Sequence, residues 1–218
     1  MNARIVFDLD GTLIDSAPDI HGAANKVLAA EGLGEISTDQ ARGYVGHGAP
    51  VFIQRMCADL GLPEHRQPAL LAAFLKLYEG AVHLTHPYPG VEAALEELAA
   101  SGHRLGVCTN KPIRPTQAVL EHLGLARFFA VVFGGDSLPV RKPDPTPLLE
   151  AFAQLGDGPC VFVGDSEVDA ETGDRAGVPF LLFTQGYRHK PVEALPHTAT
   201  FDSFDALPEL VATSLEEG

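Results

Sequence analysis

The chain has no tryptophan, two methionines and only three cysteines in 218 residues. Cys57, Cys108 and Cys160 are scattered, with neither a CxxC pair nor metal-ligand spacing, so a disulfide framework and a zinc site are both excluded. Cys108 and Cys160 fall inside apolar runs, which predicts buried, reduced thiols. Cations are scarce: 15 Lys and Arg stand against 29 Asp and Glu, a net charge of −14. A nucleic-acid binder needs clustered Lys and Arg to displace counterions, so that class is excluded too. An anionic substrate must be met by a local cation, because the overall field repels it. No apolar stretch approaches the roughly 18 residues of a membrane span, and no signal-like segment is seen. Cytoplasmic residence without a membrane partner is the expectation. The nucleotide-binding patterns GxGxxG and GxxxxGK[ST] are missing, as are HxH and HExxH, and no internal repeat occurs.

What does recur is a short apolar run that stops at Gly, Asp or Thr. The runs are 5–7, 103–109, 128–135, 160–165 and 179–184. Helix-like segments at 90–100, 115–123, 145–155 and 167–176 separate the later ones, and Gly102, Gly124, Gly156 and Gly177 stand where helix C-caps belong. In the first of these helices Val91, Ala94, Leu95 and Leu98 share one face. Strand and helix alternating in this way predict an α/β fold, a Rossmann-like parallel sheet with helices on both faces. The rhythm breaks after the first strand, where about 70 residues read as helix alone. Asp15-Ser16-Ala17-Pro18 has the form of a capped helix start. Further helices are expected near 38–45, 50–60 and 66–81, before the Pro-rich return His86-Pro87-Tyr88-Pro89-Gly90. The predicted organisation is a catalytic core of residues 1–14 and 86–218 with a helical cap, 15–85, inserted at the carboxyl ends of the strands.

The polar residues that carry chemistry stand at those strand ends. Asp8 and Asp10 follow the first run, Thr109, Asn110 and Lys111 the second, Arg141 and Lys142 the third, and Asp165 with Asp169 the fourth. Two buried carboxylates one residue apart would repel each other and resist desolvation. A divalent cation and a lysine among them remove the difficulty. All-oxygen donors without a His/Cys cluster select Mg²⁺. Lys142 and the Thr109 hydroxyl offer donors to a phosphate, and a carboxylate in line with it makes an aspartyl-phosphate route natural.

The stretches DLDGT, TNKP, RKPDP and GDSEVD, in that order and spacing, resemble the four motifs of the haloacid dehalogenase-like phosphohydrolases. The resemblance spans essentially the whole chain, including the helical insert. It implies Asp8 as nucleophile and Asp10 as general acid, then base. It implies that Thr109, Lys142 and Asn110 bind the phosphoryl group. Mg²⁺ would take Asp8, the Asp10 carbonyl and Asp165, with Asp169 shaping the site. Asp10 separates the chain from dehalogenases, which lack the second Asp. Longer segments, above all GGDSLPVRKPDPTPL, resemble bacterial family members that hydrolyse 2-phosphoglycolate. The implied protein is a monomer or homodimer acting on that or another small phosphorylated metabolite; a sugar-phosphate mutase and a non-catalytic phospho-ligand sensor are the rivals. Several residues keep two readings. Asp169 also suits a helix N-terminus and Asn110 a cap. Lys111 is either a substrate contact or a solvated loop lysine. His47, between Gly46 and Gly48, is either a cap residue facing the substrate or an ordinary loop histidine. Arg141 reads as an exposed neighbour or as a ligand for a second carboxylate, and Asp15 and Asp19 as N-terminal helix acids.

Overall fold

The computed structural model describes residues 2–216. In chain order its elements are β1 (Arg4–Phe7), β2 (Ile14–Asp15), α1 (Ala17–Ala30), α2 (Thr38–Tyr44), α3 (Ala49–Asp59), α4 (Gln67–Tyr78), β3 (His86–Pro87), α5 (Val91–Ala100), β4 (Arg104–Cys108), α6 (Ile113–His122) and β5 (Phe129–Phe133). They continue with α7 (Thr146–Gln154), β6 (Cys160–Gly164), α8 (Glu167–Ala176), β7 (Phe180–Phe183), β8 (Ala199–Phe201) and α9 (Leu207–Glu216). No helix among them is long and apolar enough to cross a membrane.

Six strands pair in parallel in the order β5-β4-β1-β6-β7-β8, the predicted α/β sheet. Strands buried on both faces need apolar residues at every position, which is why the runs are continuous rather than alternating. The two faces are nonetheless distinct. Ile5, Phe7, Leu105, Val107, Val161 and Val163 pack with Leu95 and Leu98 of α5 and Leu207 and Val211 of α9. Val6, Cys108, Val131, Phe133 and Phe162 point the other way, onto Leu148 and Phe152 of α7 and Ala170 of α8. From β1 the chain builds outward in both directions, so the carboxyl ends of β1 and β6 flank a topological switch point, where such sheets open a crevice.

Helices α1–α4 gather around a separate apolar cluster that includes Ile20, Leu28, Phe52, Met56 and Phe74. Phe52 stacks on Phe74 at 5.2 Å, and Phe74 tilts against Tyr78 at 4.9 Å. The group leaves and rejoins the sheet through a two-stranded antiparallel ribbon of β2 and β3, in which Ile14 opposes Pro87 and Asp15 opposes His86.

Three expectations are corrected. The Ser16 side chain makes no capping bond at α1; its hydroxyl donates instead to Asp10, and the Ser16 and Ala17 amides donate to the Tyr187 phenol. Cys160 is only half-buried, at the first position of its strand, whereas Cys57 and Cys108 are buried; all three are free thiols. The sheet also runs one strand further than the apolar runs indicated: β8 pairs with β7, and α9 closes the C-terminal side.

Candidate active site

Asp8 and Asp10 leave the end of β1 in different directions because the strand stops at Phe7 and the chain turns at Gly11. Gly11 has φ of +90°, and a Cβ there would lie 2.5 Å from the Asp165 carboxylate. Only glycine fits both conditions. The Asp8 amide donates to Val163 of β6 (2.8 Å), which ties the first acid to the strand that ends in Asp165.

Asp8, Asp165 and Asp169 are all buried, and each offers a carboxylate oxygen within 4.8 Å of the others. One ammonium serves this group: Lys142 Nζ lies 2.8 Å from Asp8 and 2.6 Å from Asp169. Desolvation pushes the Asp8 carboxyl up to about 7, against the opposing pull of Lys142 and with Asp169 adding to the rise. Asp165 is also driven well above the usual carboxylate range, by burial first and then by Asp169 and Asp8. Burial alone would lower the Lys142 pKa, but Asp169 and Asp8 together hold it above the ordinary lysine value. A single lysine therefore leaves the acids short of positive charge.

The remaining bonds fix orientation. Asp165 accepts from the Thr12 hydroxyl (2.7 Å) and the Tyr187 amide (2.6 Å). Asp169 takes part in a capping box at α8: its Oδ2 accepts from the Ser166 amide and hydroxyl while Oδ1 holds Lys142. Asp169 thus caps the helix, as one of its two sequence readings expected, and capping points its other oxygen at the lysine. Asn110 donates to the carbonyls of Gly46 and Lys142, both at 2.9 Å, and so bridges the sheet to the loop before α3. Two acceptors on its Nδ2 settle the amide orientation, and its buried Oδ1 has no partner. Gly135 makes room for this loop: a Cβ there would sit 2.3 Å from the Asn110 carbonyl oxygen.

Asp10 stands in a second network. It accepts from Ser16 (2.6 Å), from Lys111 Nζ (3.1 Å) and, at 3.4 Å, from the Tyr78 hydroxyl. Lys111 is no solvated loop lysine: its side chain is 3% exposed and its ammonium also donates to the Tyr78 oxygen. Tyr78, at the end of α4, carried no sequence signal, because an aromatic at helical spacing reads as core. Asp19, placed by sequence at the N-terminus of α1, is also buried there, accepting from the Leu84 amide and the Thr85 hydroxyl. Asp15 pairs with Arg42 at 3.0 Å and accepts from Tyr187.

A narrow cavity opens between these networks and the helical group. Asp8, Asp10, Thr109, Asn110 and Lys111 line it from the sheet, and Ile20, Val45, Phe52, Phe74 and Tyr78 from the helices. Gly46, Gly48, Ala49 and Pro112 complete the wall. His47 lies in an adjoining recess with Asp165, Glu167 and His189, its Nδ1 3.3 Å from Arg55. Burial first, then Arg55, lowers its pKa. Arg141 is exposed and runs alongside Gly48.

A parallel sheet whose switch point gathers buried acids and a lysine beneath a helical insert is the framework of a hydrolase with a Rossmann-like core. The chain belongs to the haloacid dehalogenase-like hydrolases: that family's model matches residues 3–177, and a related hydrolase model matches 139–217. It is 50% identical over 210 residues to a phosphoglycolate phosphatase of Cereibacter sphaeroides, covering 95% of this chain and 96% of the relative. It is 44% identical to the phosphoglycolate phosphatase of Rhodobacter capsulatus, covering 97% of each. Among solved structures, a predicted phosphoglycolate phosphatase from Haemophilus somnus superposes with a TM-score of 0.89 at 32% identity, over 95% of this chain and 97% of that one.

Proposed function

We propose that the protein is a Mg²⁺-dependent phosphomonoester hydrolase acting on 2-phosphoglycolate, with residues 15–85 as the cap over a core of 1–14 and 86–218. The observation that carries the reading is the division of labour between the two acids of the first motif. Asp8 lies with Lys142 among the buried carboxylates, while Asp10 is held apart, facing the cavity from Ser16 and Lys111. A nucleophile and a proton donor need that separation. The names of the relatives at 50% and 44% identity support the substrate.

The donor set fits Mg²⁺. It is all oxygen, and burial lifts Asp8 and Asp165 in a way that shows how little one ammonium compensates them. Asp8 and Asp165 would hold the ion with the Asp10 carbonyl, and Asp169 would reach it only by sharing an oxygen already bonded to Lys142 or to the α8 cap. When bound, Mg²⁺ offsets the charge of the phosphoryl oxygens and of the acids around it.

Lys142 and the Thr109 hydroxyl orient the phosphoryl group against Asp8, and Asn110 keeps their loop closed on Gly46. An Asp8 oxygen forms a bond to phosphorus as the ester P–O bond breaks. Asp10 delivers its proton to the departing oxygen of glycolate. The same carboxylate then takes a proton from water, whose oxygen bonds to phosphorus as the bond to Asp8 breaks. Phosphate leaves, and both acids are restored.

The test is phosphate release from 2-phosphoglycolate and a panel of small phosphomonoesters, with Mg²⁺ and with excess EDTA. Preference for phosphoglycolate that disappears with chelator is the expected result. Broad Mg²⁺-dependent turnover would retain the chemistry and reject the substrate. Isomerised product with a bisphosphate requirement would make the protein a mutase, and no turnover at all would make it a sensor.

A further inference from the structure

We propose that Lys111, backed by Tyr78, is the seat for a carboxylate carried by the substrate beside its phosphoryl group, and so sets a preference for phosphorylated hydroxy acids. The inference rests on the phosphatase reading above and assigns a residue that the reaction chemistry does not require. The cavity has one ammonium on its wall, Lys111; its other charged lining residues are Asp8 and Asp10. Lys142 is already shared by two carboxylates, whereas Lys111 has one carboxylate partner, Asp10. An ammonium has three N–H groups. The Tyr78 oxygen and Asp10 accept them, Asp10 through Oδ1 at 3.1 Å and only at the limit of reach through Oδ2 at 3.5 Å, and no other residue accepts from this ammonium among the described residues.

Burying a lysine costs several kcal/mol, and one ion pair rarely returns it. A role toward a ligand gives that cost a purpose. Ile20, Val45, Phe52 and Phe74 make the helical side of the wall apolar, and a second substrate anion that lies toward that side, away from Thr109 and Asn110, finds its one cationic partner in Lys111. The α3 N-terminus also borders the cavity. Its N-cap is Gly48, which offers no side-chain acceptor to the first-turn amides, and Gly48 and Ala49 both line the wall.

The chemistry of the substrate fits this placement. In phosphoglycolate the carboxylate carbon is two bonds from the ester oxygen. The residue that protonates that oxygen and the residue that holds the carboxylate must therefore be neighbours, as Asp10 and Lys111 are at 3.1 Å. Because Tyr78 comes from α4, the seat is complete only with the helical group against the sheet.

The experiment compares kcat/KM for 2-phosphoglycolate with that for 2-hydroxyethyl phosphate, which replaces the carboxylate by an uncharged hydroxymethyl group. Wild type, K111M and K111R are assayed with Mg²⁺, and folding is checked by circular dichroism and thermal melting. Wild type should favour phosphoglycolate by about 100-fold, as one lost charge-assisted bond allows. K111M should cut that ratio by about 30-fold or more, and K111R should retain more of it than K111M. Should K111M not fold, product inhibition of the wild type decides: glycolate should compete with substrate where ethylene glycol does not. An unchanged ratio in folded K111M, with both rates reduced together, would overturn the seat and leave Lys111 acting through Asp10 alone. Equal weakness of glycolate and ethylene glycol would also overturn it. A wild type that hydrolyses no phosphomonoester would remove the phosphatase reading, and the seat with it.

Discussion

Replacing Asp8 by Asn in the metal-free enzyme isolates the electrostatic cost of building this site. Burial raises the Asp8 carboxyl from 3.8 to about 7 despite the pull of Lys142. A folded-state value above the unfolded one means that folding takes up a proton. The stability from this group is complete below pH 3.8 and is lost as the pH rises through about 7. At about 1.4 kcal/mol per pH unit the displacement costs the charged native state about 4 kcal/mol, and relaxation of the site trims this to roughly 2–4 kcal/mol. Lys142, held above its ordinary 10.5 by Asp169 and Asp8 in spite of burial, stays protonated across this window and adds no slope to it. Asn is close to isosteric and uncharged, so the difference between variant and wild type cancels the titration of groups remote from Asp8 and leaves that of Asp8 with the relief it gives Asp165. The assay is urea unfolding in EDTA at pH 5 and pH 8. The D8N protein should gain on wild type between the two and exceed it at pH 8 by about 2–4 kcal/mol. Adding Mg²⁺ should narrow the gap, because an ion that binds only the native wild-type site stabilises it by mass action. The same variant should lose essentially all phosphatase turnover. A D8N protein less stable than wild type at pH 8 in EDTA would refute the claim that desolvation outweighs the attraction of Lys142.

Phe74, fully buried in the helical group and stacked on Phe52, should cost about 3–5 kcal/mol when cut to Ala, read as a lower urea midpoint. Gly135→Ala places a methyl 2.3 Å from the Asn110 carbonyl oxygen and must push the Thr109–Lys111 loop aside, so kcat should fall by about tenfold or more in phosphate-release assays. Tyr187→Phe removes the hydroxyl that receives the Ser16 and Ala17 amides and donates to Asp15. Stability should drop by about 1–3 kcal/mol in urea unfolding, since the Ser16 amide loses its acceptor and the Ala17 amide keeps only a 3.3 Å bond to Asp15.

Most of the sheet was legible because its inner strands are short, largely apolar runs that end where the polar residues begin; β1, β4, β6 and β7 came within a residue or two of their limits. β8 was not, because Ala199-Thr200-Phe201 is three residues long with a polar centre and is a strand only through its pairing to β7. The acids at the strand ends were equally visible, but their partners were not. Ser16 has the residue type and position of an N-cap, yet Asp10 claims its hydroxyl, and a phenol 171 residues away takes its amide. Lys111 stands in TNKP with nothing local to say whether it meets water or protein. Its burial is decided by Tyr78, 33 residues earlier on a helix of another layer. A motif shows where charge is placed along the chain. Which cation answers which acid depends on how the helical group lies over the sheet. That is why Lys142, whose partners stand at the end of β1 and on α8 packed against the sheet, was readable from spacing, and Lys111, whose partners come from the sheet end and from the helical group, was not.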